Sequence, residues 1–321
     1  MAIHKAMRAA LQALSYPANI DVEKTYKVSR ALGNLRAPLS PLYHFWDQQI
    51  ERDGHSVRVR LYRPHKQQRS RVLLFFHGGG WVLENIDTYN AVCRNLVNQT
   101  GCLVASVEYG LAPEHTFPEG LEDCYAAAKA LHQHPEQLGI SAQEITLVGD
   151  SAGGNLAAAV SLLARDRGEF SITEQILLYP ATYNDHSPTS RFASVHENGQ
   201  DYLLTSKRVS DYMRLYAGDK EKNWTSPYFA PLLAEDLTHQ PRTLVITAEY
   251  DPLRDEGEAY AEALRAAGNP VEVHRMPDTL HGYFSLPARF RAVRDTFTLI
   301  NQFLNGVAPH DENTKETPEM E

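Results

Sequence analysis

The chain is poor in cysteine and in long apolar runs. Its 321 residues contain three cysteines, Cys93, Cys102 and Cys124, far apart and without metal-binding spacing. This number and spacing exclude a disulfide framework, so we expect reduced thiols in or near the core. No apolar run approaches the roughly 20 residues that a membrane-spanning helix needs.

Positive charge is also scarce. The chain has 31 Lys and Arg against 40 Asp and Glu, for a net charge of -9. We therefore expect no nucleic-acid or membrane partner, since both favour a basic face. The amino terminus is too polar for a signal peptide, because Lys5 and Arg8 interrupt any apolar core. These features predict a cytoplasmic enzyme or binding protein.

The apolar pattern predicts an α/β fold. After a helix-rich segment of residues 1 to about 50, short buried runs alternate with amphipathic stretches. Several runs are continuously apolar, as in a mostly parallel central sheet flanked by helices. The strand-like runs are 57–61, 72–76, 103–109, 145–149, 175–179, 243–250 and 271–276. The helical stretches are 88–98, 120–132, 153–165, 255–267 and 288–304.

Three segments lie outside this alternation. Ile3, Met7, Ala10, Leu11 and Leu14 recur at helical spacing, which indicates an amphipathic helix. Residues 183 to about 226 carry turn signals and then a helical stretch around 206–217, and a long insertion of this kind is often a lid or binding loop. Residues 307–321 are polar and acidic without apolar anchors, which predicts a flexible tail.

The pentapeptide Gly149-Asp150-Ser151-Ala152-Gly153 follows the strand-like run 145–148 and matches G-x-S-x-G. Small residues permit a tight strand-to-helix turn, and serine is common in turns, so a purely structural interpretation exists. In a nucleophile elbow the same turn presents a serine hydroxyl at the top of a sheet. The partners available to this serine decide between the two interpretations.

A nucleophilic serine needs a base, and in folds with this elbow the order is Ser, Asp or Glu, then His. Only three histidines lie late enough in the chain. His310 falls in the predicted tail, and His274 falls inside a strand-like run. His281 follows that strand in a loop beside Gly282, so we predict it to be the base.

The orienting acid should end a strand near the serine. Asp251 stands at the carboxyl end of the run 242–250, directly before Pro252. Glu249 is expected to lie within the strand, and Asp255 opens a helical run whose first turn it could cap. We therefore predict Asp251 as the acid.

A third element would stabilise an oxyanion. His77-Gly78-Gly79-Gly80-Trp81 follows the buried run 72–76, and its glycines would let backbone N–H groups approach a substrate oxygen. The alternative is a merely flexible loop. A further donor would be the N–H of Ala152, and His77 is expected to order the loop rather than act as a base.

Five segments, taken in order, resemble one family. HGGGW, EYGLAPEHTFPE, GDSAGGN, AEYDPLRDEGEAYAEAL and HGYF resemble the bacterial hormone-sensitive-lipase-type esterases, which are α/β-hydrolases of the acetyl-esterase kind. The likeness runs from about residue 55 to 305. It implies Ser151, Asp251 and His281 as the catalytic triad, and an oxyanion hole formed by Gly79, Gly80 and Ala152.

The resemblance also implies a domain plan. A helical cap would combine residues 1–50 with an insertion at about 183–226, over an α/β-hydrolase catalytic domain of residues 51–306. Two departures stand out. Gly110 occupies a position where the family usually has arginine, which puts a nearby ion pair in doubt, and Tyr283 adds a residue to the usual His-Gly-Phe.

The expected function is hydrolysis of small, short-chain carboxylic esters through an acyl-enzyme, with no cofactor and no metal. Two alternatives stay open at this point. One is an amidase or formamidase on the same scaffold, and the other is a non-catalytic receptor like the plant hormone receptors with this fold. The sequence leaves the physiological ester and the oligomeric state open, a homodimer included.

Overall fold

Eight strands form one sheet. They are β1 Phe45–Arg52, β2 His55–Tyr62, β3 Val72–Phe76, β4 Leu103–Glu108, β5 Ile145–Asp150, β6 Glu174–Leu178, β7 Arg242–Tyr250 and β8 Val271–Leu280. Their order is β1-β2-β4-β3-β5-β6-β7-β8. The computed structural model describes residues 21–36, 45–64 and 69–306, so the helix expected at Ile3 to Leu14 and the acidic tail lie outside the described residues.

The sheet is mostly parallel, as the buried apolar runs predict. Only β2 runs antiparallel to its neighbours β1 and β4. In the parallel part, Phe76 of β3 lies opposite Gly149 of β5, and Asp150 lies opposite Leu178 of β6. The carboxyl ends of these strands therefore meet at one edge, and the loops that leave them lie side by side.

Eight α-helices accompany the sheet in the described part of the chain. They are α1 Val22–Arg36, α2 Asn90–Thr100, α3 Glu119–Gln133, α4 Ala152–Arg167, α5 Ala193–Glu197, α6 Ser206–Ala217, α7 Arg254–Ala266 and α8 Arg291–Leu304. Helix α4 is buried on all sides from residue 152 to 164, since it packs against the middle of the sheet. This burial fixes the serine at the start of α4 over the centre of the fold.

The insertion of residues 183–226 contains α5 and α6, and α6 confirms the helix expected around 206–217. Thr205 begins α6 by accepting a hydrogen bond from the backbone N–H of Arg208. One expectation is wrong: residues 45–50, assigned to the helix-rich segment, form most of β1. Strand β1 pairs with β2 along its whole length, and this sheet pairing overrides any local helical preference.

Within residues 21–36, 45–64 and 69–306, no helix combines the length and apolar character needed to cross a membrane.

Candidate active site

Ser151 occupies a strained turn between β5 and α4. Its φ of 57° lies in the left-handed region, which costs energy for any residue other than glycine. Its N–H donates to the carbonyl oxygen of Leu178 at 2.8 Å, which ties the turn to β6. A Cβ on Gly153 would lie 1.9 Å from the carbonyl oxygen of Phe76, and one on Gly149 would lie 2.1 Å from that of Gly153. The small residues around Ser151 are therefore required by close backbone approach.

Ser151, His281 and Asp251 form a continuous hydrogen-bonded chain. Nε2 of His281 lies 2.8 Å from Oγ of Ser151, and Nδ1 lies 2.7 Å from Oδ2 of Asp251. Asp251 is completely buried, and its Oδ1 accepts a hydrogen bond from the N–H of Leu253 at 2.9 Å. These distances match those that a nucleophile, a base and an orienting acid require.

The other two carboxylates considered for the acid have different partners. Glu249 lies within β7, as expected, and accepts a hydrogen bond from the N–H of Asp278 at 2.6 Å. Asp255 lies in the first turn of α7, where it pairs with Arg254 and accepts the N–H of Ser194 at 2.7 Å. Neither carboxylate is the hydrogen-bond partner of the His281 imidazole, which pairs with Asp251 instead.

The glycine loop after β3 lies beside the serine. Gly79 and Gly80 have φ values of 111° and 63°, which favour glycine. A Cβ on Gly80 would lie 2.5 Å from the ring of Tyr212, so a side chain there would collide with α6. Gly79, Gly80 and Ala152 line the same cavity as Ser151, with the loop on one side and the start of α4 on the other.

His77 is placed to order this loop. It is fully buried, its Nδ1 lies 2.8 Å from the carbonyl oxygen of Gly78, and its ring stacks on Tyr109 with centroids 4.4 Å apart. The hydroxyl of Tyr109 donates to the carbonyl oxygen of His77 at 2.7 Å. Burial lowers the pKa of His77 to about 4, so this imidazole is neutral in the ordinary pH range.

Sequence reasoning missed Asp150, the residue directly before Ser151. Its Oδ1 accepts the N–H of Gly78 at 2.9 Å, and its Oδ2 accepts the hydroxyls of Tyr89 at 3.0 Å and Tyr179 at 3.5 Å. Burial raises the pKa of this carboxyl to about 6. The available signal was a charged residue at the end of a strand whose other residues are neutral and buried.

A cavity of about 280 Å³ is lined by Ser151 and His281. The insertion supplies much of its wall through Leu203, Leu204, Arg208, Val209 and Tyr212. Nε of Arg208 donates to the hydroxyl of Tyr212 at 2.9 Å. The insertion after β6 therefore contributes part of the wall of the cavity beside Ser151.

The two departures from the family pattern have structural partners. Asp123, near Gly110, accepts the N–H of Gly110 at 2.8 Å and forms an ion pair with Arg52. Tyr283 is buried and its hydroxyl lies 2.6 Å from Oγ1 of Thr296, so the additional residue packs into the core. Neither position contacts the triad through these bonds.

The part of the chain that the structure describes contains no group of three or more His, Cys, Asp or Glu placed to hold a metal ion. Its three cysteines, Cys93, Cys102 and Cys124, are all buried and form no disulfide, as the sequence predicts.

The chain is similar to known hydrolases and esterases in sequence and in fold. A family model described as alpha/beta hydrolase fold matches residues 73–285. Esterase LipI of Mycobacterium tuberculosis is 35% identical over 313 residues, covering 95% of this chain and 96% of that protein. An ethyl acetate hydrolase of Pseudomonas putida is 36% identical over 239 residues, covering 73% and 74%. The solved structure of a hyperthermophilic esterase from Pyrobaculum calidifontis superposes with a TM-score of 0.84 at 36% identity, covering 96% of this chain and 100% of that one.

Proposed function

The chain belongs to the hormone-sensitive-lipase-type esterases of the α/β-hydrolase family, and we propose that it hydrolyses short-chain acyl esters with Ser151 as the nucleophile. As a member, it is a carboxylic ester hydrolase. The observation that supports the mechanism is the unbroken chain of hydrogen bonds from Ser151, which lines the cavity, through His281 to Asp251.

The chemistry follows from the positions of these groups. Nε2 of His281 accepts the proton of Ser151 as Oγ attacks the ester carbonyl carbon, and Asp251 stabilises the imidazolium that forms. The backbone N–H groups of Gly79, Gly80 and Ala152 would donate to the oxyanion. Collapse of the tetrahedral intermediate expels the alcohol, which takes the proton from His281. A water molecule then repeats the sequence on the acyl-enzyme and releases the carboxylic acid.

The size of the cavity supports a short acyl chain. About 280 Å³ is close to the lower end of the range for small-molecule pockets. Side chains from α6 form part of the cavity wall beside Ser151 and His281, which favours a pocket of finite depth over an open face. The ethyl acetate hydrolase relative is named for an ester of this size. We also propose a cytoplasmic location, which the buried cysteines without disulfides support.

The experiment is to treat the protein with a fluorophosphonate and to measure ester turnover in Ser151→Ala. We expect a phosphonyl adduct on Ser151 alone, and a loss of roughly 10⁴- to 10⁶-fold in kcat in the variant. Ser141→Ala is the control, because Ser141 is exposed and begins a short turn before β5. An adduct on another serine, or more than a few per cent of activity in Ser151→Ala, would overturn the assignment.

Matched esters and activated amides separate this function from amide hydrolysis. We expect kcat/KM for an aryl acetate to exceed that for the corresponding anilide by several orders of magnitude. Comparable values would make the protein an amidase, and no turnover of either would favour a non-catalytic receptor.

A further inference from the structure

We propose that Asp150 is a positioning residue that holds two groups in the geometry for acyl transfer. One is the glycine loop of residues 77–81, here called the oxyanion loop, and the other is the ring of Tyr179, which packs against His281. This proposal rests on the proposed function, because it assigns a task to a residue beside the same nucleophile. Asp150 itself need not touch the substrate. It acts through the groups that donate to its two carboxylate oxygens.

The first of these groups is the oxyanion loop. The N–H of Gly78 donates to Oδ1 of Asp150 at 2.9 Å, and Gly79 and Gly80 follow directly. A side chain at Gly78 would not fit, because a Cβ there would lie 2.8 Å from Oδ2 of Asp150 and 2.8 Å from the hydroxyl of Tyr89. The first glycine of the motif therefore makes room for this carboxylate, whereas the next two have positive φ.

The second oxygen serves two tyrosines. Tyr89, directly before α2, and Tyr179, directly after β6, both donate to Oδ2. The ring of Tyr179 meets the imidazole of His281 nearly edge-on, with centroids 4.9 Å apart and planes at 62°. One carboxylate thus connects the loop that presents Gly79 and Gly80 to the aromatic ring that packs against the base.

Burying the carboxylate of Asp150 carries a desolvation cost. Asp150 is 4% exposed, and burial raises its pKa to about 6. Removing an ionised carboxylate from water costs several kcal/mol unless donors surround it, and here three donors converge on it. Strongly perturbed carboxylates of this kind concentrate at functional sites. A hydrophobic residue of similar size would avoid that cost but would leave the N–H of Gly78 without its acceptor.

The geometry of the loop affects mainly the transition state. An oxyanion donor acts on charge that develops during the reaction, and losing one donor lowers kcat by about 10²- to 10³-fold. Asp150→Ala shifts the loop without deleting a donor, so we expect a smaller loss, roughly 10- to 100-fold in kcat. KM should change less than about threefold, because the ground-state ester gains little from these donors.

The test compares Asp150→Ala with Asp150→Asn and with a matched control. The amide side chain of Asp150→Asn has the shape of the carboxylate, can accept the N–H of Gly78, and can donate to the tyrosine oxygens. The kcat of Asp150→Asn should therefore be at least about tenfold higher than that of Asp150→Ala. The control is Asp123→Ala, since Asp123 is also 4% exposed and also accepts a glycine N–H, that of Gly110, away from the cavity. Each rate is divided by the folded fraction of the variant, which circular dichroism measures.

A trifluoromethyl ketone gives an independent readout. It forms a tetrahedral adduct whose oxyanion occupies the same hole, so its inhibition constant should rise in parallel with the loss of kcat/KM in Asp150→Ala. Fluorophosphonate labelling of Ser151 should persist in this variant at a reduced rate. If Ser151 is not labelled even in the unmodified protein, the proposed function fails, and that result is distinct from a failure of the present proposal.

Three results would overturn the positioning role. They are an unchanged kcat in folded Asp150→Ala, an effect confined to KM, or an equal loss of kcat in Asp123→Ala. Should Asp150→Ala not fold, Tyr89→Phe replaces it, because that change removes one donor to Oδ2 and keeps the ring. We then expect a threefold to tenfold fall in kcat with little change in KM, and no fall would overturn the proposal.

Discussion

Asn198 at the end of α5 donates from Nδ2 to the backbone carbonyl oxygen of Asp251 at 3.2 Å. The same amide lies 3.4 Å from the carbonyl oxygen of Glu249, and Asn198 is 4% exposed. A buried side chain of the insertion therefore supports the loop that carries Asp251, the proposed acid. The insertion thus has a second connection to the site, besides the wall that α6 contributes to the cavity.

We expect Asn198→Ala to lower kcat several-fold and the free energy of unfolding by about 0.5–1.5 kcal/mol, the usual contribution of one hydrogen bond. Asn198→Asp should be worse, because it places a carboxylate against two carbonyl oxygens. Steady-state kinetics and urea unfolding measure both effects, with exposed Asn305→Ala as the control. Equal kcat in Asn198→Ala and the unmodified protein would mean that this contact does not support the acid.

A second prediction concerns the close approach of Gly153, two residues after Ser151, to the end of β3. Gly153→Ala should abolish activity or folding, because its Cβ would lie 1.9 Å from the carbonyl oxygen of Phe76 at the end of β3. Gly257→Ala is the matched control in the first turn of α7, where the nearest atom, Cγ2 of Thr247, is 3.3 Å away. Since alanine favours helix, this control should remain within about 1 kcal/mol of the original stability. Thermal unfolding of both variants decides, and a stable, active Gly153→Ala would contradict the prediction.

The raised pKa of Asp150 predicts a pH-dependent stability. Its pKa is about 6 in the folded protein and 3.8 ordinarily, so the unfolded chain releases this proton more readily. Its contribution to stability is fully present below pH 3.8 and is lost as the pH rises through about 6. The Asp150→Asn variant has no titrating carboxyl at this position, so its stability does not fall with pH for this reason. Its stability relative to the unmodified protein should therefore increase between about pH 4 and 7, by up to about 3 kcal/mol.

Urea unfolding at about pH 4.5 and 7.5 measures this difference. Asp47→Asn is the control, because the hydrogen bond from Arg60 lowers the pKa of Asp47 and places its titration below this window. Its stability difference from the unmodified protein should therefore be nearly constant. A constant difference for Asp150→Asn as well would refute the raised pKa.

The order of strands and loops in the sequence was sufficient to predict that Ser151, Asp251 and His281 lie together. Ser151, Asp251 and His281 each follow a strand of the same parallel sheet, and parallel strands bring their carboxyl ends to one edge. The task of Asp150 was not predictable in this way, because it depends on the distance to Gly78, which is 72 positions away in the sequence. Strand β1 was missed because its pairing with β2, rather than its own pattern, defines it.

The acyl-chain preference gives the last prediction. Each methylene buried in an apolar pocket contributes about 0.8 kcal/mol, close to fourfold in binding. As the cavity of about 280 Å³ fills, kcat/KM should rise over the first few carbons. Beyond the depth of the pocket an additional carbon must collide with the wall or stay in water, so the gain stops or reverses.

We therefore expect an optimum from roughly acetyl to hexanoyl, with no jump in rate when the substrate exceeds its solubility. The measurement uses p-nitrophenyl esters of two to sixteen carbons and an emulsified long-chain triglyceride. Leu204→Ala and Val209→Ala enlarge the cavity from the side of the insertion, so at least one should move the optimum to longer chains. Ala230 is buried outside the cavity lining, and Ala230→Gly should leave the optimum in place. A rate that climbs to the longest chains, or activation at the emulsion surface, would indicate a lipase and contradict this prediction, because a pocket of finite depth gains nothing from carbons beyond its end.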